Sequence, residues 1–431
     1  MWKNFLPKPK DLAEKVRTLD KFIFLVLVVL LFSNFFYTEM NVIYDDFKYY
    51  SLTAEFTGTR PIDSGAFEYS KDILPGYSLL ATGIFYPVKF VAGFFEETIL
   101  FQDEYIEWEF ERHPPEKLLL KDSFSKLFVT NGRGDYYDWK IGFSLILTSY
   151  LLLFIGIIGL TRILQKSNGF FKGYLFIPLT FILSPIFMHN LITTPIYPTI
   201  AAFGISAIFT YFFVNSFLEK RINQANTHVL LAGFFLGLLM LIRFEGLVLF
   251  LGLTVCLFAY KEKIRIKRFV LGFLISACSL LIYNSVIFGN PFTFGFLKNS
   301  ANFFGIDMGY IFLNLVHPES GILFWSPLIV IGIIGLFLSK QKYSKYLGIS
   351  AVLLILTFIV RVSTLVCPNE FVTITTGTTF CVDAITLIRY DINRYISILI
   401  PFSIIGLNNI LTIITIKIKY KLKLMNKKNK M

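Results

Sequence analysis

Two adjacent acids, Asp45 and Asp46, sit inside the aromatic run Tyr44-Asp45-Asp46-Phe47-Lys48-Tyr49-Tyr50. A carboxylate can take a proton from a hydroxyl nucleophile, and two neighbouring acids can hold a divalent cation. The plainer role for such a pair is to mark the solvated end of a helix. Against that stand Tyr49, one helical turn on, and a polar stretch far longer than a simple connection needs. Arg243-Phe244-Glu245-Gly246 lies between two apolar runs. Ionisable groups this close to hydrocarbon are costly and point to function. Its guanidinium could grip a phosphate through two parallel hydrogen bonds, or simply pair with Glu245 and pin a tight turn at Gly246. Arg389-Tyr-Asp-Ile-Asn-Arg394-Tyr395 directly precedes the last apolar run. Arginines at a span edge usually snorkel to headgroups, but this pair could neutralise a phosphate leaving group.

Weaker candidates follow. His189 could ligate a metal near the acids, with Asp46 as a second ligand, although an interfacial histidine is the plainer reading. Cys367 and Cys381 share one polar loop and could form a disulfide in an oxidising compartment. Cys256 and Cys278 lie inside apolar runs and read as small buried hydrophobes. No CxxC or Cys/His spacing suggests a metal site.

The elements that must position these residues are membrane spans. Of 431 residues, 55% are hydrophobic and only 16% charged, against about 25% charged in a soluble domain. The apolar residues fall in runs of roughly 16–22, the length that crosses a ~30 Å hydrocarbon core. An all-α polytopic membrane protein is expected. A β-barrel would show alternating segments of about ten residues instead. The net charge of +12 does not indicate a nucleic-acid partner, because the basic residues cluster in short loops between apolar runs. That is the positive-inside pattern.

In chain order, the basic stretch 1–21 precedes an apolar run at 22–37 with no small-x-small cleavage site, read as an uncleaved signal anchor with its N-terminus in the cytoplasm. A long outer loop, 38–140, carries the acidic pair. It contains one apolar stretch, 73–95, whose two prolines, Lys89 and amphipathicity predict a helix lying in the interface. If it does not cross, every later basic loop falls on the cytoplasmic side; if it crosses, the assignment inverts. Spans are then expected near 141–161, 172–188, 195–217, 228–242, 246–260, 269–288, 322–339, 347–365 and 395–416. This gives about ten transmembrane helices, with both termini cytoplasmic. The transmembrane domain covers 22–417, and 418–431 is a basic cytoplasmic tail. Outer loops follow at 289–321 and 366–394, and no internal repeat supports an inverted-repeat transporter.

The order of these motifs resembles the GT-C superfamily of membrane glycosyltransferases, which use polyprenyl-phosphate-linked sugars and include protein O-mannosyltransferases and the lipid A aminoarabinose transferase. Asp45-Asp46-Phe-Lys-Tyr49 matches their acidic pair in the first outer loop. Pro75-Gly-Tyr-Ser-Leu-Leu80, running to Phe85-Tyr-Pro87, is similar to a Pro-Gly-x-x-Leu-Leu stretch of bacterial members. Arg243-Phe-Glu-Gly246 looks like Arg-Pro-Glu-Gly, with Phe244 replacing proline. Gly321-Ile-Leu-Phe-Trp-Ser-Pro327 and Arg394-Tyr-Ile-Ser-Ile-Leu-Ile-Pro-Phe402 resemble recurring late stretches.

The resemblance implies Asp45 as general base and Asp46 as its assistant. It implies Arg243, Arg389 and Arg394 at the donor phosphate, and Tyr49, Glu245 and Tyr395 at the substrate. A divalent metal is a cofactor of only some members. The implied partners are a polyprenyl-phosphate-linked sugar, a lipid, glycan or protein acceptor, and membrane lipids, on the outer face of a plasma or inner membrane. The chain ends in a short basic tail rather than a large soluble domain, so acceptor recognition is expected from the outer loops. The alternatives are a flippase or polymerase-type protein handling lipid-linked glycans, and a non-enzymatic membrane scaffold.

Overall fold

Apolar runs interrupted by short polar breaks leave the backbone one economical solution in lipid, the helix, which satisfies its own hydrogen bonds. The computed structural model describes residues 45–58, 74–98, 139–167, 198–293, 322–362, 372–373, 379–380 and 397–428. The described chain is helical, apart from a two-residue antiparallel ladder in which Val372 faces Phe380. Its helices are α1 (Asp45–Thr57), α2 (Gly76–Thr98), α3 (Trp139–Lys166), α4 (Thr199–Leu218), α5 (Ile222–Ile242) and α6 (Glu245–Ala259). They continue with α7 (Lys263–Phe288), α8 (Pro327–Leu338), α9 (Lys342–Val362) and α10 (Ile400–Lys428). A single turn, Ile322–Trp325, precedes α8, and a 3₁₀ turn, Ser397–Leu399, leads into α10.

Five of these segments are long and apolar enough to cross a membrane: Lys140–Lys166, Thr199–Leu218, Ile222–Ile242, Lys263–Phe288 and Ser397–Leu422. The chain is therefore an integral membrane protein of helical type. Helices α6 and α8 are apolar but short; twelve residues make a rod of about 18 Å, less than the hydrocarbon core. The expected spans at 22–37 and 172–188 lie outside the described residues.

Helix pairs meet where small residues let backbones approach, as lipid-embedded packing requires. Gly156 of α3 meets Gly204 of α4, and Gly159 meets Tyr211, so α3 and α4 run parallel. Gly233 and Gly237 of α5 lie against Phe269 and Phe273 of α7, again in parallel. Gly332 and Gly335 of α8 lie against Ser403 and Gly406 of α10. Between these pairs α6 and α9 run antiparallel, with Gly252 beside Ser350 and Tyr260 against Tyr346.

These registers sort the polar groups to two ends. One end gathers Lys166, whose Nζ donates to Asn215 at 2.7 Å, and Arg265, which meets Glu262 at 2.6 Å. Lys342 also reaches Glu262, at 3.4 Å. Helix α5 begins at that end and runs away from it, so the Arg243 turn lies at the other.

One sequence expectation changes. Cys278 is exposed, not buried. Helix α7 turns an outward face of Leu271, Leu274, Ile275, Ile282 and Val286 away from the bundle, and Cys278 falls on that face at helical spacing. The expected helix at 73–95 forms as α2 and runs through Pro87. Tyr77, Ala81, Phe85, Val88 and Ala92 are buried, but the opposite face, with Leu79, Tyr86, Phe90 and Val91, is exposed and equally apolar. Lys89 also lies on the exposed side, its Nζ 5.9 Å over the Phe85 ring.

Candidate functional site

The Arg243 turn is built by a backbone break and two close approaches. Helix α5 closes on Arg243, whose N–H donates to Leu239 O at 2.7 Å. Arg243 is then extended (φ −145°, ψ 121°) and Phe244 returns to helical angles (φ −56°, ψ −22°). Gly246 N–H donates back to Arg243 O at 3.0 Å. A Cβ on Gly246 would stand 2.5 Å from Met240 N, so only glycine lets α6 fold back this tightly on α5. An extended residue followed by one near φ −60° is also the backbone that an X-Pro pair adopts. Phe244 therefore holds a backbone position that proline would also fit.

Arg243 and Glu245 are both buried, at 5% and 4% exposure, with Arg243 Nε 3.5 Å from Glu245 Oε2. Both charges are held out of water at one end of an apolar bundle, where each raises the value of an opposite charge beside it. The turn-pinning ion pair anticipated from sequence is present.

The helix that carries the acidic pair is tied to this turn through α2. Asp45 and Asp46 open α1, where the positive end of the helix dipole favours acids; their side chains lie outside the described set. One turn later Tyr49 is buried, its ring edge-on to Tyr77 at 5.5 Å. Ser78 Oγ donates to Tyr49 O at 3.1 Å, and Thr53 Oγ1 donates to the same carbonyl at 2.7 Å. The Tyr77 hydroxyl donates to Leu145 O at 2.8 Å and, having a single proton, accepts from Ser149 Oγ at 2.8 Å. Gly76 completes the link. A Cβ there would meet Leu241 Cβ at 2.5 Å and Leu241 C at 2.6 Å, two residues before Arg243. The far end of α1 reaches the same end of the bundle, where Phe56 stands 6.2 Å edge-on to Tyr283 near the end of α7.

The structure thus links Tyr49 to Tyr77 of α2, and Gly76 of α2 to Leu241, two residues before the paired Arg243 and Glu245. Arg389, Arg394, Tyr395, His189, Cys367 and Cys381 lie outside the described residues. The described chain resumes two residues after Tyr395, where Ile398 O accepts from Ser206 Oγ of α4 at 2.6 Å. Among the described residues no group of three His, Cys, Asp or Glu side chains could hold a metal ion. Sequence reasoning singled out the Pro75-Gly76-Tyr77 stretch but not its work. The signal was there: a glycine beside a tyrosine at a helix start fits a close backbone contact with a polar tether.

Comparison with known proteins finds no matching family model, no matching curated protein and no matching solved structure.

Proposed function

We propose that this protein is a membrane glycosyltransferase that moves a sugar from a polyprenyl-phosphate donor to an acceptor hydroxyl at the outer membrane surface. The observation that carries the reading is a run of contacts: α1 packs on α2 through Tyr49 and Tyr77, and Gly76 of α2 packs on Leu241, two residues before the buried Arg243–Glu245 pair. These contacts link the helix that opens with two acids, by way of α2, to the end of the bundle that carries Arg243, opposite Lys166, Arg265 and Lys342. The positive-inside rule makes that basic end cytoplasmic, so the Arg243 end faces out. The sequence expects the run 172–188 to span, and a span there would give the return crossing that parallel α3 and α4 require, within a plan of about ten spans.

In the proposed step Asp45 takes the acceptor hydroxyl proton, with Asp46 orienting it. The acceptor oxygen bonds to the anomeric carbon as the carbon–oxygen bond to the lipid phosphate breaks. The phosphate leaves with the bonding electrons, and a single displacement inverts the centre. Arg243, with Arg389 and Arg394, stabilises the charge on the leaving phosphate. Tyr49, Glu245 and Tyr395 shape the substrate's surroundings. A carboxylate-to-amide change keeps shape and removes basicity. Asp45→Asn is therefore expected to abolish sugar transfer while membrane insertion and expression persist. Mass spectrometry of cells lacking the gene should reveal accumulated lipid-linked sugar or an under-glycosylated product, which names donor or acceptor. Retained transfer by Asp45→Asn would remove the assigned base.

A further inference from the structure

Helices α5–α7 and α8–α10 share one arrangement with the directions reversed. In each unit the first and third helices run parallel and meet at glycines: Gly233 and Gly237 lie against Phe269 and Phe273, and Gly332 and Gly335 against Ser403 and Gly406. Helix α5 runs away from the basic end, whereas α8 runs toward it and ends shortly before Lys342. The middle helices, α6 and α9, meet antiparallel, so the two units join along an α6–α9 seam. Within a unit, backbone faces backbone: a Cβ on Gly237 would stand 2.7 Å from Phe273 O, and one on Gly332 2.5 Å from Ser403 O. Across the seam the nearest atoms belong to side chains. A Cβ on Gly252 would meet Leu353 Cδ1 and Ser350 Oγ, each at 3.1 Å, and the Tyr260 and Tyr346 rings are 5.0 Å apart.

One carboxylate ties this seam at the basic end. Glu262, at the corner between α6 and α7, pairs through Oε2 with Arg265 at 2.6 Å and through Oε1 with Lys342 of α9 at 3.4 Å. The first arm is held in place, because Arg265 stands 4.4 Å over the Phe217 ring and donates to Ser216 O at 3.4 Å. The second arm is loose: Lys342 is 62% exposed, and an ion pair in water is worth little. One turn further along the same face of α9, Tyr346 is fully buried, and its hydroxyl has no hydrogen-bond partner among the described residues. Glu262 lies close enough to bear on that hydroxyl electrostatically. A buried donor left without an acceptor costs more than an exposed ion pair returns. The corner also holds Lys261 at φ 58°, a left-handed backbone that a residue with a Cβ adopts at a cost.

We propose that Glu262 is a two-position latch between the two units, whose Oε1 exchanges the Lys342 ammonium for the Tyr346 hydroxyl and so draws the α6–α7 corner inward along α9. Arg265 is kept in both positions. The position seen here leaves the hydroxyl without a bond; the other satisfies it and returns Lys342 to water. Packed interfaces move between discrete arrangements of this kind rather than deforming continuously. Helix α6 is unbroken from Glu245 to Ala259, so the place of the corner is carried along it to the Arg243 turn. The inference rests on the packing of the bundle and not on the transfer reaction.

The test uses the full chain in lipid nanodiscs, with 3-fluorotyrosine in place of Tyr346 alone, so that the fluorine NMR spectrum reads the surroundings of its hydroxyl. The parent is expected to show two signals, or one averaged signal where exchange is fast. Lys342→Gln, at an exposed site, should raise the bonded population about twofold to fivefold relative to the other, the factor that losing an exposed ion pair is worth. Glu262→Ala should move the spectrum the opposite way, to the unbonded state alone. A spectrum that Lys342→Gln leaves unchanged overturns the proposal, whether or not Glu262→Ala folds. So does a shift in the same direction in both variants, which would give the hydroxyl an acceptor other than Glu262.

Discussion

Neutralising Glu245 separates the structural role of the Arg243 turn from its proposed chemical one. Glu245→Gln keeps the side-chain shape and removes a negative charge 3.5 Å from Arg243 Nε, at a site where both residues are at most 5% exposed. Two unit charges at that distance attract by about 5 kcal/mol at an effective dielectric near 20. The amide retains part of this as a hydrogen bond to the guanidinium. The distance is also at the long limit for such a bond. The expected loss of stability is therefore about 3 kcal/mol, the low end of what breaking a buried pair costs. Arg243→Met, of similar volume, should cost a comparable amount by removing the guanidinium that faces the carboxylate. The double variant, Arg243→Met with Glu245→Gln, should cost clearly less than the sum, because both single changes remove the same pairing. Unfolding free energy from denaturant titration in bicelles measures all three, beside transfer activity on a lipid-linked sugar. A turn that acts only as a pin should regain stability and activity together in the double variant. A turn that grips a phosphate should regain stability alone. Equal stability of Glu245→Gln and the parent, or a double variant worse than both singles, would refute the pairing argument.

Other expectations follow from close contacts elsewhere. A Cβ on Gly332 would lie 2.5 Å from Ser403 O and 2.6 Å from Ser403 Cα. Gly332→Ala should therefore push α8 and α10 apart by about 1 Å and cost about 1–3 kcal/mol, read in the same titration. At the turn, Phe244→Pro should be more stable than Phe244→Ala by about 0.4–1 kcal/mol, because φ −56° after an extended residue already suits proline. An order reversed in the melting curves would show that the turn needs the residue 244 N–H.

What sequence could reach, and what it could not, divides along a physical line. Apolar run length and loop charge are one-dimensional properties, and they found α3, α4, α5, α7 and α10, although α5 and α7 start six residues earlier than expected and α10 ends twelve residues later. Outward and inward faces depend on which neighbours a helix finds. That is why Cys278, inside an apolar run, reads as buried and yet lies on the outer face of α7. In α2 likewise, composition predicts the helix but not that Leu79, Tyr86, Phe90 and Val91 share its exposed side with Lys89. In lipid, exposure carries no demand for polarity, so hydrophobicity along a helix cannot say which side is covered.

The candidate site shows the same limit more sharply. Arg243-Phe244-Glu245-Gly246 was legible as a turn because glycine and charge interrupt an apolar run. The contact that joins it to α1 was not, because Gly76 and Leu241 are distant in sequence and neither carries chemistry. Their closeness is set by a missing Cβ. Replacing Gly76 by Ala would demand that the start of α2 withdraw from Leu241, carrying Tyr77 away from Leu145, Ser149 and Tyr49 together. Positioning in this site therefore rests on a residue with no functional group, and a search for reactive side chains alone passes over it.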